Sequence, residues 1–467
     1  MQLLTRFSRK FWVGMTAIFL LSLSLRFWDL DRFNTLVFDE VYFAKFGHNY
    51  LTRTPFFNSH PPLSQYLIAI ALQIGSIFNW GSDAVHDAAG YPLSPWNYRW
   101  MNAAIGSTIP VLVGAIAYQL TRRSSFAFIA AGFMALDGLF LVESRYALNN
   151  IYIIFFGLLA QLLFLISLSS KNKHRPVWLI LAGVCFGASV AVKWNGLGFL
   201  LGIYLLLIVA GLMKWRSPAF SSPLERLTEL KPIHIILNLA IVPFLTYSLL
   251  WIPHLRQNPK YNLWELHQKI LTFHQNLGGD TDIHPYCSPW HTWPATIRPM
   301  VYFFERVNSP ENIPPSLNNI SIPEFPIIYD VHGMGNPVLW WFSILAIAGF
   351  VGVALSYLVS RDRILPKPEY WVILYAIVNW GANFLPWAMV SRCLFIYHYM
   401  GAVVFAIMAA AWWCDRWLHS RQPDRKIMGM TAIVLVVMAF LYWLPIYLGL
   451  PLSPEEWKLR MWLNSWI

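Results

Sequence analysis

Two adjacent carboxylates, Asp39 and Glu40, have residue types and spacing that could support chemistry. They follow an apolar run, Phe11 to Trp28, that is interrupted by a charge only at Arg26 and is long enough to cross a bilayer. Carboxylates near a membrane are costly unless they have a function. A carboxylate can also deprotonate a hydroxyl group, which is a poor nucleophile unaided. The pair therefore predicts an active site at a membrane surface.

Basic and aromatic residues from distant segments are predicted to reach the same membrane face. Basic side chains hold phosphate by charge-assisted hydrogen bonds, so these residues are candidates for binding an anionic, lipid-linked substrate. The phosphate candidates are Arg99, Arg145, Lys193 and Arg392, and the candidates for lining the donor or acceptor site are His60, Trp290, Trp293, Tyr397 and His398. Each basic residue could instead pair with a nearby acid or extend toward lipid headgroups, and Arg99 could brace Glu40.

The composition indicates a polytopic membrane protein. The 467 residues are 57% hydrophobic and 12% charged, whereas soluble domains contain about 25% charged residues. The net charge of +11 does not indicate nucleic-acid binding, because the basic residues lie in short loops between apolar segments and no nucleic-acid-binding pattern is present. We predict an all-α fold with about eleven membrane spans. They are residues 11–28, 98–121, 125–142, 150–169, 177–194, 196–213, 233–252, 338–360, 370–390, 393–415 and 427–449.

The placement of basic residues predicts the topology. Arg6, Arg9 and Lys10 precede the first span and put the N-terminus in the cytoplasm. If the segment Leu63 to Trp80 crossed the membrane, the later basic loops would all lie outside, against the charge bias. We therefore expect interfacial helices within residues 40–80. The whole chain, 1–467, forms a single transmembrane domain with outer loops at 29–97 and 253–337, and its active site and C-terminus face the outside.

Cysteine and histidine spacing predicts neither a disulfide framework nor a zinc site. The four cysteines, Cys185, Cys287, Cys393 and Cys414, are widely spaced, and three of them lie in or at the ends of apolar segments. We expect them to be small apolar core residues. The histidines of the second outer loop lack ligand spacing with acids.

Several motifs resemble those of protein O-mannosyltransferases and occur in that family's order from about residue 26 to residue 415. They are residues 38–43 (FDEVYF), 60–63 (HPPL), 144–146 (SRY), 193–196 (KWNG), 288–290 (SPW), 335–337 (GNP) with the tryptophans at 340 and 341, and 395–399 (FIYHY). The resemblance implies the GT-C glycosyltransferase fold. It also implies transfer of mannose from a polyprenyl phosphate donor to Ser or Thr hydroxyls of exported proteins.

The resemblance also implies roles for the two acids. Asp39 matches the family's base toward the acceptor hydroxyl, and Glu40 matches an acid that helps to position the acceptor or the structure. Neighbouring side chains diverge on a helix or strand, so only one acid can face the reaction, and the other is expected to brace the site through an arginine. A single displacement would invert the anomeric centre.

Two features depart from the family pattern. The chain has no room for the β-trefoil (MIR) insert of eukaryotic members, so it resembles the bacterial form. Asn150 stands where members usually have Asp, so the role of that acid cannot be transferred to this chain. The adjacent carboxylates could bind Mg²⁺ or Mn²⁺, although no metal site is firmly predicted. The expected partners are the donor lipid, exported proteins and membrane lipids. The expected location is the cell membrane, and the oligomeric state stays open.

Two other functions fit the sequence less well. Another GT-C enzyme could move a sugar from a lipid phosphate to a glycolipid such as lipid A, and the aromatic motifs favour a protein acceptor only by resemblance. A transporter would place its charges along an ion path and commonly shows internal repeats. Here no repeat is evident, and the polar groups concentrate at one face.

Overall fold

The computed structural model describes residues 9–80, 86–88, 91–170, 174–216, 225–278, 284–309, 325–359 and 368–467. Arg6 and parts of the basic loops, at 171–173, 217–224 and 361–367, lie outside these residues. The first helices are α1 (Arg9–Phe27), α2 (Glu40–Leu51), α3 (Leu63–Ile77), α4 (Pro95–Thr121), α5 (Ser124–Ala135), α6 (Gly138–Arg145), α7 (Asn150–Ser169), α8 (Arg175–Val192), α9 (Leu197–Arg216) and α10 (Glu225–Thr228). The later helices are α11 (Pro232–Ile235), α12 (Val242–Leu250), α13 (Ile252–Gln257), α14 (Leu263–Gln275), α15 (Pro337–Val359), α16 (Pro368–Phe384), α17 (Met400–Leu418), α18 (Pro423–Leu448) and α19 (Pro454–Arg460).

The long apolar helices confirm a polytopic membrane protein. Within the described ranges, nine helical segments are long and apolar enough to cross a membrane, and α5 with α6 makes a tenth. The remaining predicted span corresponds to α1, whose apolar part, Phe11–Phe27, is shorter. The most enclosed of these segments is Ile396–Leu418, which is 94% buried, so α17 forms the centre of the bundle.

The predicted third span, 125–142, is not one straight helix. It breaks between α5 and α6 with a bend of 59°. Asp137 caps α6 by accepting a hydrogen bond from the Phe140 N–H at 3.1 Å. The same carboxylate accepts a 2.6 Å bond from Trp340 Nε1. The tryptophan of the Gly-Asn-Pro segment therefore fixes the bend, which directs α6 toward the active-site end of the bundle.

The segment predicted to be the first outer loop contains the two short helices α2 and α3, and neither is long enough to span a bilayer. α3 begins directly after the diproline at residues 61–62. The rest of the loop includes a small hairpin, β1 (His86–Ala88) paired with β2 (Tyr91–Leu93). Trp100 of α4 donates to the Ala71 carbonyl at 3.1 Å, which attaches α3 to a membrane helix. This arrangement agrees with the expectation of non-spanning helices within residues 40–80.

The segment predicted to be the second outer loop contains both helices and strands. It begins with most of α13 and continues with α14, whose capping box joins Asn262 and Glu265 by reciprocal hydrogen bonds of 2.9 and 3.0 Å. It continues with an antiparallel hairpin of β3 (Met300–Val307) and β4 (Ile327–Gly333). All seven residues of β4 are buried, because the strand packs against α6 and α18. Strands are thus a minor exception to the all-α prediction.

The cysteine prediction was wrong for one pair. Cys287 and Cys393 form a disulfide across 106 residues of sequence. The backbone pairs locally, since the Ser288 N–H donates to the Leu394 carbonyl at 2.8 Å, and the two cysteine Cα atoms lie 5.2 Å apart. This pairing joins the second outer loop to the segment before α17, and sequence spacing does not reveal it. Cys185 and Cys414 are free thiols.

Candidate active site

Glu40 is locked into the structure at the start of α2. Its side chain is fully buried, and Arg99 contacts both of its oxygens, at 2.9 and 2.7 Å. The Val37 and Ala147 N–H groups donate to the same two oxygens, each at 2.8 Å. Four donors therefore occupy this carboxylate. The sequence analysis expected one of the two acids to brace the site through an arginine, and Glu40 has the contacts of that acid.

Asp39 has the opposite environment. Its side chain is partly exposed and does not cap α2, and within the described residues it receives no hydrogen bond or ion pair. Phe38 precedes it in a left-handed conformation (φ 54°) that a bulky residue rarely adopts. The Phe38 ring stacks on Tyr302 at 4.5 Å, which stabilises this turn. The turn thus leaves the half-buried Asp39 carboxylate without a partner among the described residues, while Glu40 faces inward and is fully bonded.

The environment of Asp39 suits a base. Burial raises the pKa of Asp39 to about 6, and the nearby Lys193 opposes the increase. A general base works best when its pKa lies near the operating pH. At neutral pH the carboxylate is ionised yet more basic than an ordinary aspartate, so it can take a proton from a hydroxyl group.

Two of the four phosphate candidates form their hydrogen bonds within the fold. The Arg99 guanidinium is fully buried, and besides Glu40 it binds the carbonyls of Leu30, Phe33 and Thr35. Arg145 binds the carbonyls of residues 25, 26, 28 and 29 at the end of α1, at 2.6 to 3.2 Å. These bonds satisfy carbonyls that a helix end leaves without partners. Neither guanidinium faces the cavity described below.

The other two candidates, Lys193 and Arg392, line a cavity. Lys193 lies between α8 and the next span, and its Nζ atom is 5.3 Å from the centre of the Tyr397 ring. Arg392 donates to the neighbouring Cys393 carbonyl at 3.2 Å. His60 lines the same cavity and stacks on His274 at 5.4 Å. Burial, with the charge of Lys193 second, lowers the pKa of His60 well below its usual value. This imidazole is therefore neutral at neutral pH.

The cavity has a volume of about 770 Å³ and is lined by both basic and apolar residues. The basic residues are Lys193 and Arg392, which line it together with the two stacked imidazoles, and no carboxylate occurs among the described residues that line it. Its apolar lining includes Leu197, Leu200 and Leu201 of α9 together with Trp387, Met389 and Val390. Several of these apolar side chains are exposed, Met389 by 89%, so the cavity opens at the surface of the helix bundle. It can accommodate an anionic head attached to a long apolar chain.

The aromatic candidates differ in how deeply they are buried and in how close they lie to the charged groups. Trp293 is fully buried, donates to Ser288 at 2.9 Å and stacks with His398 at 6.0 Å, so it supports the site from behind. Trp290 is partly buried and packs edge-on against Phe384. His398 is buried and bonded through Nδ1 to the Phe395 backbone, at 2.9 Å to the carbonyl. Tyr397 lies closest to the charged groups, beneath Lys193.

Several residues near the site were not among the sequence candidates. Tyr302 of β3 donates to the carboxylate of Glu143, and three residues line the cavity: His274, Asn383 and Trp387. The capping box before α14 could have predicted the helix that presents His274. No comparable signal distinguished Tyr302, because the strand that presents it has no clear alternation.

The adjacent acids do not form a joint metal site. Glu40 already accepts four hydrogen bonds, so it cannot join Asp39 as a ligand without losing Arg99. No group of three His, Cys, Asp or Glu side chains suited to a metal ion occurs within the described ranges. A role for Mg²⁺ or Mn²⁺ stays a prediction.

Solved structures with the same fold define the class of protein. The *S. cerevisiae* protein O-mannosyltransferase Pmt1-Pmt2 complex bound to the sugar donor matches with a TM-score of 0.82 at 15% identity, covering 100% of this chain and 94% of that chain. ArnT from *Cupriavidus metallidurans* bound to undecaprenyl phosphate matches with a TM-score of 0.51 at 14% identity, covering 94% and 64%. At these identities the likeness shows the fold alone, which is that of GT-C membrane glycosyltransferases.

The family follows from the sequence matches. The model described as dolichyl-phosphate-mannose-protein mannosyltransferase matches residues 16–257, and the model of the C-terminal four-TMM region of protein-O-mannosyltransferase matches residues 259–466. The chain therefore belongs to the protein O-mannosyltransferase family and is a glycosyltransferase.

Two mycobacterial relatives cover most of the chain. The polyprenol-phosphate-mannose–protein mannosyltransferase of *Mycolicibacterium smegmatis* is 25% identical, covering 87% of this chain and 81% of that protein. The protein of the same description from *Mycobacterium tuberculosis* is 23% identical, covering 97% and 92%.

Proposed function

We propose that this protein transfers mannose from a polyprenyl phosphate mannose donor to Ser or Thr hydroxyls of exported proteins. The family and the names of its mycobacterial relatives support the donor and the protein acceptor. The observation that carries the proposal is an open cavity lined by basic and apolar residues, whose Lys193 lies within electrostatic range of Asp39, a carboxylate without a partner among the described residues.

The donor lipid occupies this cavity in the proposed complex. Its phosphate lies between Lys193 and Arg392, which form charge-assisted hydrogen bonds with the oxygens. Its prenyl chain follows the leucines of α9 toward the surrounding lipid, because apolar surface is stabilised by leaving water. The lining of the cavity supports this placement, since it offers both basic side chains for the phosphate and apolar side chains for the prenyl chain.

Asp39 is the base in the proposed reaction. It accepts the proton of the acceptor hydroxyl while the oxygen attacks the anomeric carbon, and the bond from that carbon to the phosphate oxygen breaks. The bonding electrons leave with the polyprenyl phosphate, whose increased negative charge Lys193 and Arg392 stabilise. A single displacement inverts the anomeric centre. Glu40 and Arg99 position the turn that carries the base.

The proposed orientation places this site on the outer side of the cell membrane and the N-terminus in the cytoplasm. The predicted short basic loops favour it, because positive residues are retained on the cytoplasmic side. Arg123, Asp415 and Arg416 lie at the bundle end opposite the cavity, where Arg123 pairs with Asp415 at 2.8 Å. Acceptor proteins would therefore meet Asp39 after export.

The test supplies membranes containing the protein with radiolabelled mannosyl lipid and a Ser/Thr-rich peptide. We expect label to enter the peptide, and a matched peptide with Ala at every Ser and Thr is the control. Label in extracted glycolipid but not in the peptide would contradict the proposal and favour the glycolipid transferase. Substrate uptake by proteoliposomes without any transfer would favour a transporter. Repeating the assay with a chelator tests whether transfer needs a divalent metal.

A further inference from the structure

Glu143 is a buried carboxylate beside the site to which the proposed reaction gives no role. It lies on α6, near the end that approaches the site, and its side chain is fully buried. The Asn150 amide nitrogen donates to its two oxygens at 3.1 and 3.2 Å, and the Tyr302 hydroxyl also donates to it. All of its contacts are therefore with neutral donors, although a buried carboxylate is most stable beside a cation.

Asn150 connects this carboxylate to the cavity. Its amide oxygen accepts a hydrogen bond from Lys193 Nζ at 3.4 Å, while its nitrogen faces Glu143. The two opposite charges fix the orientation of the amide, because only its oxygen can face the ammonium and only its nitrogen can face the carboxylate. A continuous polar chain thus runs from Tyr302 through Glu143 and Asn150 to Lys193.

The charged groups around Lys193 indicate what this series of hydrogen bonds could do. Arg392 is close enough to lower the pKa of Lys193, and Asp39 and Glu143 are the acids close enough to raise it. The polar groups that face Lys193 from the surrounding elements are Asp39, His60, Glu143, Asn150, His274, Arg392, Tyr397 and His398. Asp39 must stay free to accept a proton, whereas Glu143 is joined to Lys193 through the hydrogen bonds of Asn150 and takes no part in the proton transfer.

We propose that Glu143 is a positioning residue that acts through Asn150 to keep Lys193 charged and directed at the donor phosphate. This inference rests on the proposed function. It assigns the two neighbouring carboxylates different tasks: Asp39 exchanges a proton with the acceptor, and Glu143 balances the charge of the lysine without touching either substrate. Tyr302 fixes the far side of Glu143.

The protonation of Lys193 gives a direct readout. Burial, with Arg392 second, lowers the pKa of Lys193 to about 8, and Asp39 and then Glu143 oppose the decrease. Removing the negative charge at Glu143 should therefore lower this pKa further. Removing Arg392 should move it in the opposite direction. Reactivity of the Lys193 amine toward an acylating reagent, followed against pH by peptide mass, measures this without any transfer assay.

Three variants separate charge from simple structural damage. Glu143→Gln keeps the shape and removes the charge, and Asn150→Asp places two carboxylates in contact. The double variant Glu143→Gln/Asn150→Asp exchanges carboxylate and amide between bonded partners, so one negative charge again faces Lys193. We expect Glu143→Gln to raise the KM for the donor lipid about tenfold and to lower the pH of half-maximal Lys193 labelling. The double variant should return both quantities to within a few-fold of wild type.

The control is Asp415→Asn, which removes an equally buried carboxylate that is paired with Arg123 at the far end of α17. It should lower thermal stability and leave the Lys193 labelling profile unchanged. A folded double variant that labels and binds donor no better than Glu143→Gln would overturn the inference, as would a Glu143→Gln profile identical to wild type. If labelling responds as expected but the wild-type protein transfers no mannose, the proposed function fails while Glu143 remains the counter-charge of Lys193.

Discussion

Two groups of charged residues lie side by side at one end of the bundle and differ in how their polar atoms are used. The first group, Glu40 with Arg99 and Arg145, is buried and bonded to partners within the fold. The second group, Asp39 with Lys193 and Arg392, faces a cavity or the surface and has few fixed partners. Residues of the same types, two of them adjacent in sequence, thus have opposite environments.

This difference separates structural residues from candidate functional ones. A buried ion pair contributes little net stability, yet removing one partner is costly because the other charge stays buried and unpaired. A charge without partners near a cavity costs stability as well, and it is retained where it acts on a ligand. The first group should therefore respond to mutation through stability and the second through activity.

The largest expected effect is on the base. Asp39→Asn removes the proton acceptor and keeps the side-chain shape, so transfer of mannose to the peptide should fall by about 10² to 10⁴-fold. The melting temperature should not decrease, because Asp39 makes no hydrogen bond or ion pair within the described residues that the change could break. Initial rates with radiolabelled donor measure the first effect, and thermal unfolding in detergent measures the second. Transfer at the wild-type rate would exclude Asp39 as the base.

Glu40→Gln should reduce stability more than activity, the reverse of Asp39→Asn. It leaves Arg99 buried without its counter-charge, and breaking such a pair costs about 3 to 5 kcal/mol. We expect a lower melting temperature and a smaller folded fraction, with the specific activity of the folded protein reduced far less than in Asp39→Asn. Quantifying folded protein by size-exclusion chromatography before each assay distinguishes the two. An inactive Glu40→Gln protein of normal stability would assign Glu40 a direct chemical role.

How far the sequence could predict this site depends on where each partner comes from. The resemblance identified the acids and the basic residues, and the divergence of neighbouring side chains predicted that one acid would turn away. That Arg99 and Arg145 bind backbone carbonyls could not be predicted, because the acceptors belong to the end of α1 and the turn after it. Such contacts depend on the packing of α1 against α4 and α6, and residue type alone does not encode them.

The same reasoning applies to the fold. Apolar length predicted the membrane helices, since each must satisfy its backbone polar groups internally. The bend at Asp137 and the hairpin of β3 and β4 were not predicted, because both depend on contacts with distant helices. The disulfide of Cys287 was missed for this reason as well: its partner, Cys393, lies 106 residues away.

One basic residue from each group, Arg392 and Arg145, can be compared by the same substitution. Arg392→Gln should raise the KM for the donor lipid about tenfold by removing a phosphate contact, with little change in melting temperature. Arg145→Gln should instead lower the melting temperature, because four carbonyls near the end of α1 lose their donor. Measuring KM and thermal unfolding on both proteins tests the contrast. A normal melting temperature with a raised KM for Arg145→Gln would place it in the functional group.

The smallest expected effect is the pH dependence of the second group. Asp39 must be deprotonated to act, and burial raises its pKa to about 6, so activity should fall to about half as the pH decreases to that value. Lys193 must be protonated to hold phosphate, and burial lowers its pKa to about 8, so activity should also decline above that pH. Wild type should therefore give a bell-shaped profile of kcat/KM. In Arg392→Gln the alkaline limb should move to higher pH, because the charge that helps to lower the pKa of Lys193 is gone. An unchanged alkaline limb in that variant would mean that deprotonation of Lys193 does not cause the loss of activity at high pH. Lys193 would then not be the residue that must be protonated to hold the phosphate.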